Sequence, residues 1–299
     1  MLILQYGEFE RNFPAAAGWT KGAIFMLTII VVSFNSAKTL MACQSELLAS
    51  GRFPVIVVDN ASTDGSADSL AACFPQVQVM RMERNLGYGR AANRALAEVG
   101  TPYAFLLNPD LEATVASVQA MLDFAHRQAD RGSLFAPAVV ARDHLQRGAI
   151  SRQWVIGAAL LFKMDAFREQ GFFDENIFLF SEETDLCRRL ITGGHNILLN
   201  TDVHIHHLKG QSSQPNLKVD ALKNWHRGWS QMYYQHKHGL IAGWWAPRRM
   251  YLKYAVKAVL ARNRIKRNQY AARATGMLAY IRGEKAFLAD GRGQRTDRL

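Results

Sequence analysis

Short apolar runs, rich in β-branched residues, alternate with polar stretches over the first third of the sequence. Their lengths match those of buried strands, and they cover residues 27–34, 54–58, 77–80 and 103–107. Segments of helical length separate these runs; one ends at Gly51 and another extends from Gly87 to Val99. Alternation of strand and helix predicts a parallel sheet with right-handed crossovers, so we expect an α/β domain.

Two of the predicted strands are followed directly by an aspartate. Asp59 follows the second strand, and Asp110 follows the fourth, which Pro109 brings to an end. In a parallel sheet both side chains lie at the edge where nucleotides commonly bind. A divalent cation that carries a phosphate group would explain a carboxylate there, because an unpaired buried charge is costly. The alternatives are a turn formed by Asp59 and a helix cap formed by Asp110.

A loop containing glycine leads into the helix that follows the third strand. Backbone N–H groups at the start of this helix, with Arg84, Arg90 and Arg94 nearby, suit an anionic diphosphate. A plain turn beside a solvated basic face is the alternative. The sequence contains no P-loop, and Gly87-Tyr88-Gly89 lacks the third glycine of a dinucleotide-binding fold, so the pattern argues against both of those classes.

An aromatic-rich segment leads into an acidic helix start. Ser181 can cap this helix, and Glu182, Glu183 and Asp185 lie in its first turn. A favourable interaction with the helix dipole is enough to explain the three acids. Glu182 and Asp185 are spaced to share one face, however, and a carboxylate in a water-poor pocket is suited to act as a general base.

Three histidines follow the last sheet-like run, at residues 196–200. They are His204, His206 and His207, and their spacing is not that of a zinc-binding helix. A lone histidine usually has a structural role. One of the three is nevertheless a candidate for completing a metal or diphosphate site.

Taken together and in this order, the segments resemble the family 2 glycosyltransferases of the GT-A fold, most closely their bacterial rhamnosyltransferase-like branch. Residues 31–35 look like the opening strand of that family, residues 57–65 like its base-binding loop, and residues 85–93 like its Asn-x-Gly segment. The resemblance implies a Rossmann-like, mostly parallel sheet flanked by helices over residues 26–212. The nucleotide-sugar-binding residues that it implies are Ser33, Asn35, Asp59, Asn60, Asn85, Gly87, Arg90, Asn93 and Asn108.

The same resemblance implies a divalent cofactor, Mg²⁺ or Mn²⁺. Residues 107–110 are similar to the Asp-x-Asp metal motif, with Asn108 in place of the first acid, which leaves Asp110 as the expected ligand. His207, with Gly210 and Ser212, is similar to a late His-x-x-Gly-x-Ser segment and implies a second metal or diphosphate contact.

The family's Glu-Asp motif falls on Glu182 and Glu183. Its second acid is the proposed base, so the resemblance places the base at Glu183, where many members have aspartate. Asp185 is the competing candidate.

The composition is that of a globular protein, since 49% of the 299 residues are hydrophobic, which excludes a wholly disordered chain. Cys43, Cys73 and Cys187 lie far apart and are expected as free thiols in a reducing compartment. No apolar run reaches the ~20 residues that a membrane-spanning helix needs. Residues 1–25 lack a signal-peptide layout and are expected to form a dispensable N-terminal extension.

The net charge of +11 is concentrated near the C-terminus. In residues 213–299, basic side chains alternate with aromatic and aliphatic ones at helical spacing, which indicates a basic helical appendage on an anionic membrane surface. The alternatives are a solvated helical face packed on the catalytic domain and, less favoured in the absence of a nucleic-acid-binding motif, a nucleic-acid partner. The residues concerned include Trp225, Trp229, Trp244, Trp245, Arg248, Arg249, Lys253, Lys257, Arg262, Arg264, Lys266 and Arg267.

The sequence therefore predicts an inverting, metal-dependent glycosyltransferase, cytoplasmic and peripheral on the inner membrane. The resemblance alone implies the donor, and from it we expect transfer of L-rhamnose from dTDP-rhamnose to a hydroxyl of a cell-surface polysaccharide or lipid-linked oligosaccharide precursor. One alternative is a UDP-sugar donor, carrying a hexose or galactofuranose. The other is a non-catalytic basic protein that recruits partners to membrane or nucleic acid, although such a protein has no need of acids at Asp59, Asp110 and Glu183 together.

Overall fold

The structure is a computed structural model that describes residues 25–141, 143, 146–208 and 217–296. The expected N-terminal extension, apart from Phe25, and the expected contacts of Gly210 and Ser212 lie outside these residues. The strands are β1 (Leu27–Ser33), β2 (Val55–Asp59), β3 (Gln78–Arg81), β4 (Tyr103–Leu107), β5 (Leu111–Glu112), β6 (Leu134–Ala138), β7 (Ala149–Arg152), β8 (Ala159–Lys163), β9 (Ile197–His204) and β10 (His206–His207). The helices are α1 (Ala37–Ala49), α2 (Ser66–Cys73), α3 (Tyr88–Glu98), α4 (Val115–Arg127), α5 (Met164–Gln170), α6 (Glu182–Thr192), α7 (Leu217–Lys237), α8 (Trp245–Leu260) and α9 (Arg264–Ile281).

One half of the central sheet is parallel, as the alternation of strands and helices predicts. Its strands lie in the order β3-β2-β1-β4. Ile30 at the middle of β1 pairs with Ile56 of β2 and Leu106 of β4, and all three side chains are buried. Strands buried on both faces carry apolar residues at successive positions, which is why these runs are continuous in the sequence.

The other half of the sheet continues β4 in the order β8-β6-β9-β7. β8 is antiparallel to both β4 and β6, β9 is parallel to β6, and β7 is antiparallel to β9. Six of the eight strands therefore point the same way, and the sheet is mixed but mostly parallel, as expected. At the end of β4, the Asn108 N–H donates to the Ala158 carbonyl oxygen at 2.8 Å, and Gln44 Nε2 donates to the Asn108 carbonyl oxygen at 2.8 Å.

Helices cover both faces of the sheet. On one face α1 and α4 bury apolar side chains such as Leu40 and Met121 against Phe105. On the other face α3, α5 and α6 pack against the opposite side of the same strands, with Leu96 and Leu186 in that layer. The predicted architecture of a mostly parallel sheet flanked by helices is confirmed.

The C-terminal helices form a third apolar cluster that packs on the catalytic domain. Trp225 and Trp229 of α7 are buried in it together with Phe178, which precedes α6. Trp244 and Trp245, by contrast, are 61% and 65% exposed, and no residue of α8 is buried. Of the helices that the structure describes, none has the length and apolarity needed to cross a bilayer.

The contact between α7 and α9 depends on two glycines. Asp220 of α7 contacts Gln269 of α9, and later residues of both helices meet in the same order, so the two helices run parallel. A Cβ atom on Gly228 would lie 2.1 Å from a backbone oxygen of α9, and one on Gly276 would lie 2.0 Å from the Trp225 carbonyl oxygen. Only glycine permits this close approach.

Replacing Gly276 with alanine should therefore destabilise the protein. Overpacking of this kind costs about 1–3 kcal/mol, occasionally more. Urea unfolding followed by tryptophan fluorescence measures the change in the free energy of unfolding. Gly100→Ala is the matched control, since a Cβ atom there meets nothing within 4 Å. Equal stability of Gly276→Ala and the wild type would contradict the close packing of α7 on α9.

Candidate active site

Asp110 and His207 are brought together by the two-stranded ribbon of β5 and β10. His207 pairs with Leu111, and the Leu208 N–H donates to the Asp110 carbonyl oxygen at 3.0 Å. As a result His207 Nε2 lies 3.2 Å from Asp110 Oδ1, and the Asp110 side chain is 1% exposed. Two residues almost a hundred positions apart in the chain thus converge on one point.

A divalent cation fits this pair. The carboxylate is a hard oxygen ligand, the imidazole is a common ligand of divalent transition metals, and neighbouring ligands of an octahedral ion at about 2.1 Å lie roughly 3.0 Å apart. His207 Nδ1 is buried and has no hydrogen-bond partner among the described residues. No cluster of three or more metal-ligating side chains occurs in the part of the chain that the structure describes, so further ligands would come from a bound diphosphate or water.

The turn considered as an alternative role for Asp59 is present, whereas the helix cap considered for Asp110 is absent. Asp110 does not cap the following helix, because Thr114 caps α4 in a reciprocal pair of hydrogen bonds with Ser117. Asp59 does form a turn, since its Oδ2 accepts a hydrogen bond from the Ser62 N–H at 3.1 Å. Asp59 Oδ1 is buried and has no hydrogen-bond partner among the described residues, which leaves it as an acceptor for a ligand.

The loops that follow β1 and β2 are joined by Asn35. Its backbone N–H donates to Ser62 Oγ at 2.8 Å, and its Oδ1 accepts from the Thr63 N–H at 2.8 Å. Asn35 has a φ of 51°, a left-handed conformation that asparagine adopts more readily than most residues. Ser33 Oγ lies 2.9 Å from Ser36 Oγ beneath this junction. The predicted residues Ser33 and Asn35 therefore lie beside Asp59.

The loop before α3 is held by Asn60. Its Nδ2 donates to Asn85 Oδ1 at 3.1 Å and to the Gly87 carbonyl oxygen at 3.3 Å, and its Oδ1 accepts from the Leu86 N–H at 2.8 Å. Gly87 has a φ of 80°, and a Cβ atom there would lie 2.2 Å from the Phe178 carbonyl oxygen. Only glycine can occupy this position. The glycine of the Asn-x-Gly segment is therefore required by the packing, in addition to its expected role in binding.

The side chains of Arg90 and Asn93 contact other segments than the loops that hold Asn35, Asp59 and Asn60. Asn93 forms two hydrogen bonds with the backbone of Phe173, at 2.9 and 3.0 Å. Arg90 Nε donates to the Glu175 carbonyl oxygen at 2.6 Å, and its guanidinium lies 3.6 Å from the ring centroid of Phe287. The structure thus engages both side chains in holding neighbouring segments, and their contact with a nucleotide remains a prediction.

The acidic helix α6 starts from two consecutive residues with left-handed backbone. Phe180 has a φ of 66° and Ser181 a φ of 68°, conformations that cost of the order of 1–3 kcal/mol each outside glycine. Ser181 occupies the N-cap position, but its side chain forms no capping hydrogen bond, so the cap expected from the sequence is wrong. A Cβ atom on Gly157 would lie 3.0 Å from Glu183 Cβ, which shows that Glu183 packs directly against the loop before β8.

Tyr88 connects the acids to the metal-ligand pair. Its hydroxyl donates to the Gly157 carbonyl oxygen at 3.2 Å. Burial raises the pKa of Tyr88 well above its ordinary value, and nearby carboxylates add to the rise. Those carboxylates are Glu182, Glu183 and Asp110. The charges of all three carboxylates act on the same phenol. The acidic helix start and the Asp110–His207 pair therefore both lie within electrostatic range of Tyr88.

Glu182 and Glu183 are adjacent carboxyls, of which Glu182 is 7% exposed and Glu183 is partly exposed. Burial, and then the charge of Glu183, raise the pKa of Glu182 to about 8. Burial also raises the pKa of Glu183. Two adjacent carboxyls in a poorly solvated site do not ionise independently, so the pair retains a proton near neutral pH.

Asp185, the competing candidate, is already neutralised. Its Oδ2 lies 2.8 Å from Arg189 Nε, and its Oδ1 lies 2.6 Å from Lys237 Nζ and 2.8 Å from His238 Nε2. Lys237 also pairs with Asp174 at 2.6 Å. All three of these contacts engage the two oxygens of a fully buried carboxylate, so Asp185 is occupied by its basic neighbours. Its geometry is that of an anchor between α6 and the end of α7.

Sequence reasoning missed Tyr88, Lys237 and His238. Tyr88 lies inside the glycine-containing segment that the sequence indicated as a binding loop. Its contact with the Gly157 carbonyl oxygen, however, cannot be read from the sequence. Nothing in the spacing of Lys237 and His238 connects them to Asp185, because the contact depends on how α7 packs on α6.

The mixed α/β sheet thus brings the Asp110–His207 pair, the loop that follows Asp59 and the acids Glu182 and Glu183 to the ends of its strands. The chain belongs to glycosyl transferase family 2, whose family model matches residues 28–189. It is therefore a glycosyltransferase, and the reading as a non-catalytic recruitment protein is not supported.

The chain is similar to a rhamnosyltransferase. It is 26% identical over 279 aligned residues to the N-acetylglucosaminyl-diphospho-decaprenol L-rhamnosyltransferase of Mycobacterium tuberculosis, in both strain CDC 1551 and strain H37Rv. The alignment covers 76% of this chain and 89% of the relative. The expected resemblance to a rhamnosyltransferase-like branch of the family is confirmed.

Solved glycosyltransferases share the fold at low sequence identity. The mannosyltransferase PcManGT from Pyrobaculum calidifontis, in complex with GDP-Man and Mn²⁺, has a TM-score of 0.53 at 15% identity, covering 88% of this chain and 81% of that one. S. aureus TarS in complex with UDP has a TM-score of 0.54 at 13% identity, covering 87% and 92%. The GT-A fold is confirmed.

Replacing Asp185 with asparagine should destabilise the protein, because Arg189, Lys237 and His238 would lose their shared counter-charge. Loss of one partner of a buried ion pair costs about 3 kcal/mol or more. Chemical unfolding at neutral pH measures the difference. Glu183→Gln is the matched control in the same helix turn, and its neutral side chain should leave the free energy of unfolding unchanged or raise it. Equal stability of the two variants would contradict the anchoring role of Asp185.

Proposed function

We propose that this chain is an inverting glycosyltransferase that transfers L-rhamnose from dTDP-rhamnose to a hydroxyl of a lipid-linked oligosaccharide or cell-surface polysaccharide precursor. The observation that carries the proposal is the convergence of Asp110 and His207 with Glu182 and Glu183 around Tyr88. This arrangement provides a place for a leaving diphosphate on one side of a reacting carbon and a proton acceptor on the other.

The donor nucleotide would lie along the carboxyl ends of β1 and β2. Asp59 Oδ1, the buried acceptor at the end of β2, suits the N–H of a pyrimidine ring, which thymine and uracil share. Asn60 and Asn35 hold the surrounding loops in place through the hydrogen bonds described above. Asp110 and His207 would hold a divalent cation, which when bound neutralises the negative charge that develops on the departing diphosphate.

Glu183 is the residue that we assign as the general base. It packs against Gly157 in the loop before β8, and burial raises its pKa, which strengthens it as a proton acceptor. Glu183 would remove the proton of the acceptor hydroxyl, whose oxygen then attacks the anomeric carbon from the face opposite the diphosphate. The configuration is inverted without a covalent enzyme intermediate. The adjacent Glu182, whose pKa is raised to about 8 by burial and then by the charge of Glu183, would remain protonated.

A lipid-linked acceptor is supported by two independent features. The M. tuberculosis relative is named for an N-acetylglucosaminyl-diphospho-decaprenol substrate. In this chain, α8 exposes a set of apolar side chains interleaved with basic ones, and no Asp or Glu occurs between Asp220 and Glu284. The exposed apolar residues of α8 and its flanks are Leu240, Trp244, Trp245, Leu252, Val256, Val259, Leu260 and Ile265. Such a helix suits an anionic bilayer, here the cytoplasmic face of the inner membrane.

A UDP-sugar is the second candidate donor. The solved complex of TarS with UDP shows that a protein of this fold binds that nucleotide. Asp59 Oδ1 accepts equally from either pyrimidine, so the choice of donor needs a binding measurement.

Calorimetric titration with dTDP and UDP, with and without Mn²⁺, tests the donor site. We expect metal-dependent binding that falls at least ~10-fold in Asp110→Ala, because the variant lacks the carboxylate that would hold the cation. The preferred base identifies the donor class. Asp123→Ala, an acid on the exposed side of α4, is the control and should bind as the wild type does. Absence of binding of either nucleotide would overturn the proposal.

Glu183→Gln should lower turnover by about 10²–10⁴-fold, the usual contribution of general-base catalysis, while nucleotide affinity is retained. Turnover is measured with nucleotide-sugar and acceptor at saturating concentrations. A folded Glu183→Gln enzyme with normal turnover would show that the base has been misassigned.

Binding to vesicles tests the membrane surface. We expect the protein to sediment with vesicles that contain anionic lipid and to be released by high salt, since the interaction is electrostatic in part. Trp244→Ala with Trp245→Ala should weaken this binding severalfold. Trp154→Ala removes a partly exposed tryptophan outside α8 and is the control. Salt-insensitive residence in the supernatant would contradict membrane attachment.

A further inference from the structure

A cluster of basic side chains lies between the acids of the active site and α8. Arg227 of α7 stacks over the ring of Phe180, with its guanidinium carbon 4.2 Å from the ring centroid. Phe180 is two residues before Glu182, so Arg227 lies beside the start of α6, the turn that carries the acids. This cation plays no part in the reaction described above.

Lys223 lies one helical turn before Arg227 on the same face of α7. Burial lowers the pKa of Lys223, Asp220 opposes this change, and the positive charge of Arg227 adds to the lowering. Asp110 is the next group whose charge acts on Lys223. Lys223 therefore lies within electrostatic reach of both Arg227 and the metal-ligand pair.

Arg273 of α9 continues the cluster toward α8. Its guanidinium lies 4.4 Å from the ring centroid of Tyr254 in α8, and its Nη2 donates to Gln231 Oε1 at 2.8 Å. Burial lowers the pKa of Arg273, Tyr254 opposes this, and the charge of Arg227 adds to the lowering. Arg273 Nε is buried and has no hydrogen-bond partner among the described residues. A buried guanidinium N–H without an acceptor indicates that an anion belongs nearby.

From this arrangement we infer that Lys223, Arg227 and Arg273 form a binding site for the diphosphate of a prenyl-diphosphate-linked acceptor. The inference rests on the proposed function and assigns it a second anion site, separate from that of the donor. The order of groups matches such a molecule. Its sugar hydroxyl reaches Glu183, its diphosphate meets the three cations, and its hydrocarbon chain follows Tyr254 to the exposed apolar side chains of α8. Arginine and lysine are suited to this role because they bind phosphate oxygens by charge-assisted hydrogen bonds.

The inference is tested by calorimetric titration of the full-length protein with farnesyl diphosphate, a soluble prenyl diphosphate, in the absence of vesicles. Farnesyl monophosphate, farnesol and inorganic pyrophosphate separate the contributions of the two phosphates and the chain. We expect Lys223→Gln with Arg227→Gln to weaken farnesyl diphosphate binding at least ~10-fold, because two charge-assisted contacts are lost. Binding of dTDP or UDP with Mn²⁺ should change less than ~3-fold.

Arg127→Gln with Arg168→Gln is the matched control, since it removes the same charge from exposed positions on α4 and α5. The inference is overturned if the wild type does not bind farnesyl diphosphate, or if the control weakens binding as much as the test variant does. It is also overturned if nucleotide affinity falls in parallel, because the cations would then belong to the donor diphosphate. If the double variant does not fold, Lys223→Gln alone is titrated under the same criteria.

Failure of the proposed function has a different signature. Wild-type protein that binds neither nucleotide, yet binds farnesyl diphosphate in a manner dependent on Lys223 and Arg227, would overturn the donor assignment and leave the prenyl diphosphate site in place. Nucleotide binding without prenyl diphosphate binding would overturn the prenyl diphosphate site and leave the donor assignment in place.

Discussion

The site is constrained by the burial of several carboxylates at one edge of a sheet whose interior is almost entirely apolar. The strands β1, β2 and β4 have no room for charge between their two helical layers, so polar side chains gather where these strands end. Asp59 and Asp110 are there, and both are almost completely buried. Carboxylates in such a position need a counter-charge or a proton. In the function proposed above, a divalent cation would meet this requirement at Asp110 and a pyrimidine N–H would meet it at Asp59.

The C-terminal helices are part of the site and not only an attachment to it. Lys237 and His238 at the end of α7 neutralise Asp185 in the first turn of α6, the same turn that carries Glu183. Phe178, whose backbone oxygen excludes any side chain at Gly87, packs in the apolar cluster of α7 and α9. The positions of the candidate base and of the nucleotide loop therefore both depend on helices outside the residues that the family model matches.

Three acids within one helical turn acquire different roles from their surroundings. Asp185 is surrounded by basic groups, whereas burial raises the pKa values of Glu182 and Glu183 and so favours their protonated forms. A charge that is fixed can anchor a helix, and a carboxyl that gains and loses a proton near neutral pH can act on a substrate. Phe180 and Ser181, with their left-handed backbone conformations, lead directly into the first turn of α6, where the surroundings of the three acids differ.

The sequence alone determined the parallel half of the sheet, since β1, β2, β3 and β4 are continuous apolar runs with helices between them, and local hydrophobic patterning is sufficient to define such elements. It also indicated the residues at the strand ends and the acidic start of α6. Only the tertiary structure decided the rest: the antiparallel insertion of β8 beside β4, the contact of His207 with Asp110, and the neutralisation of Asp185 by Lys237 and His238. These are pairings between residues far apart in the chain, and no local preference specifies them. They follow from which surfaces pack together when the apolar faces are buried, and it is this packing that separates an anchoring carboxylate from a catalytic one.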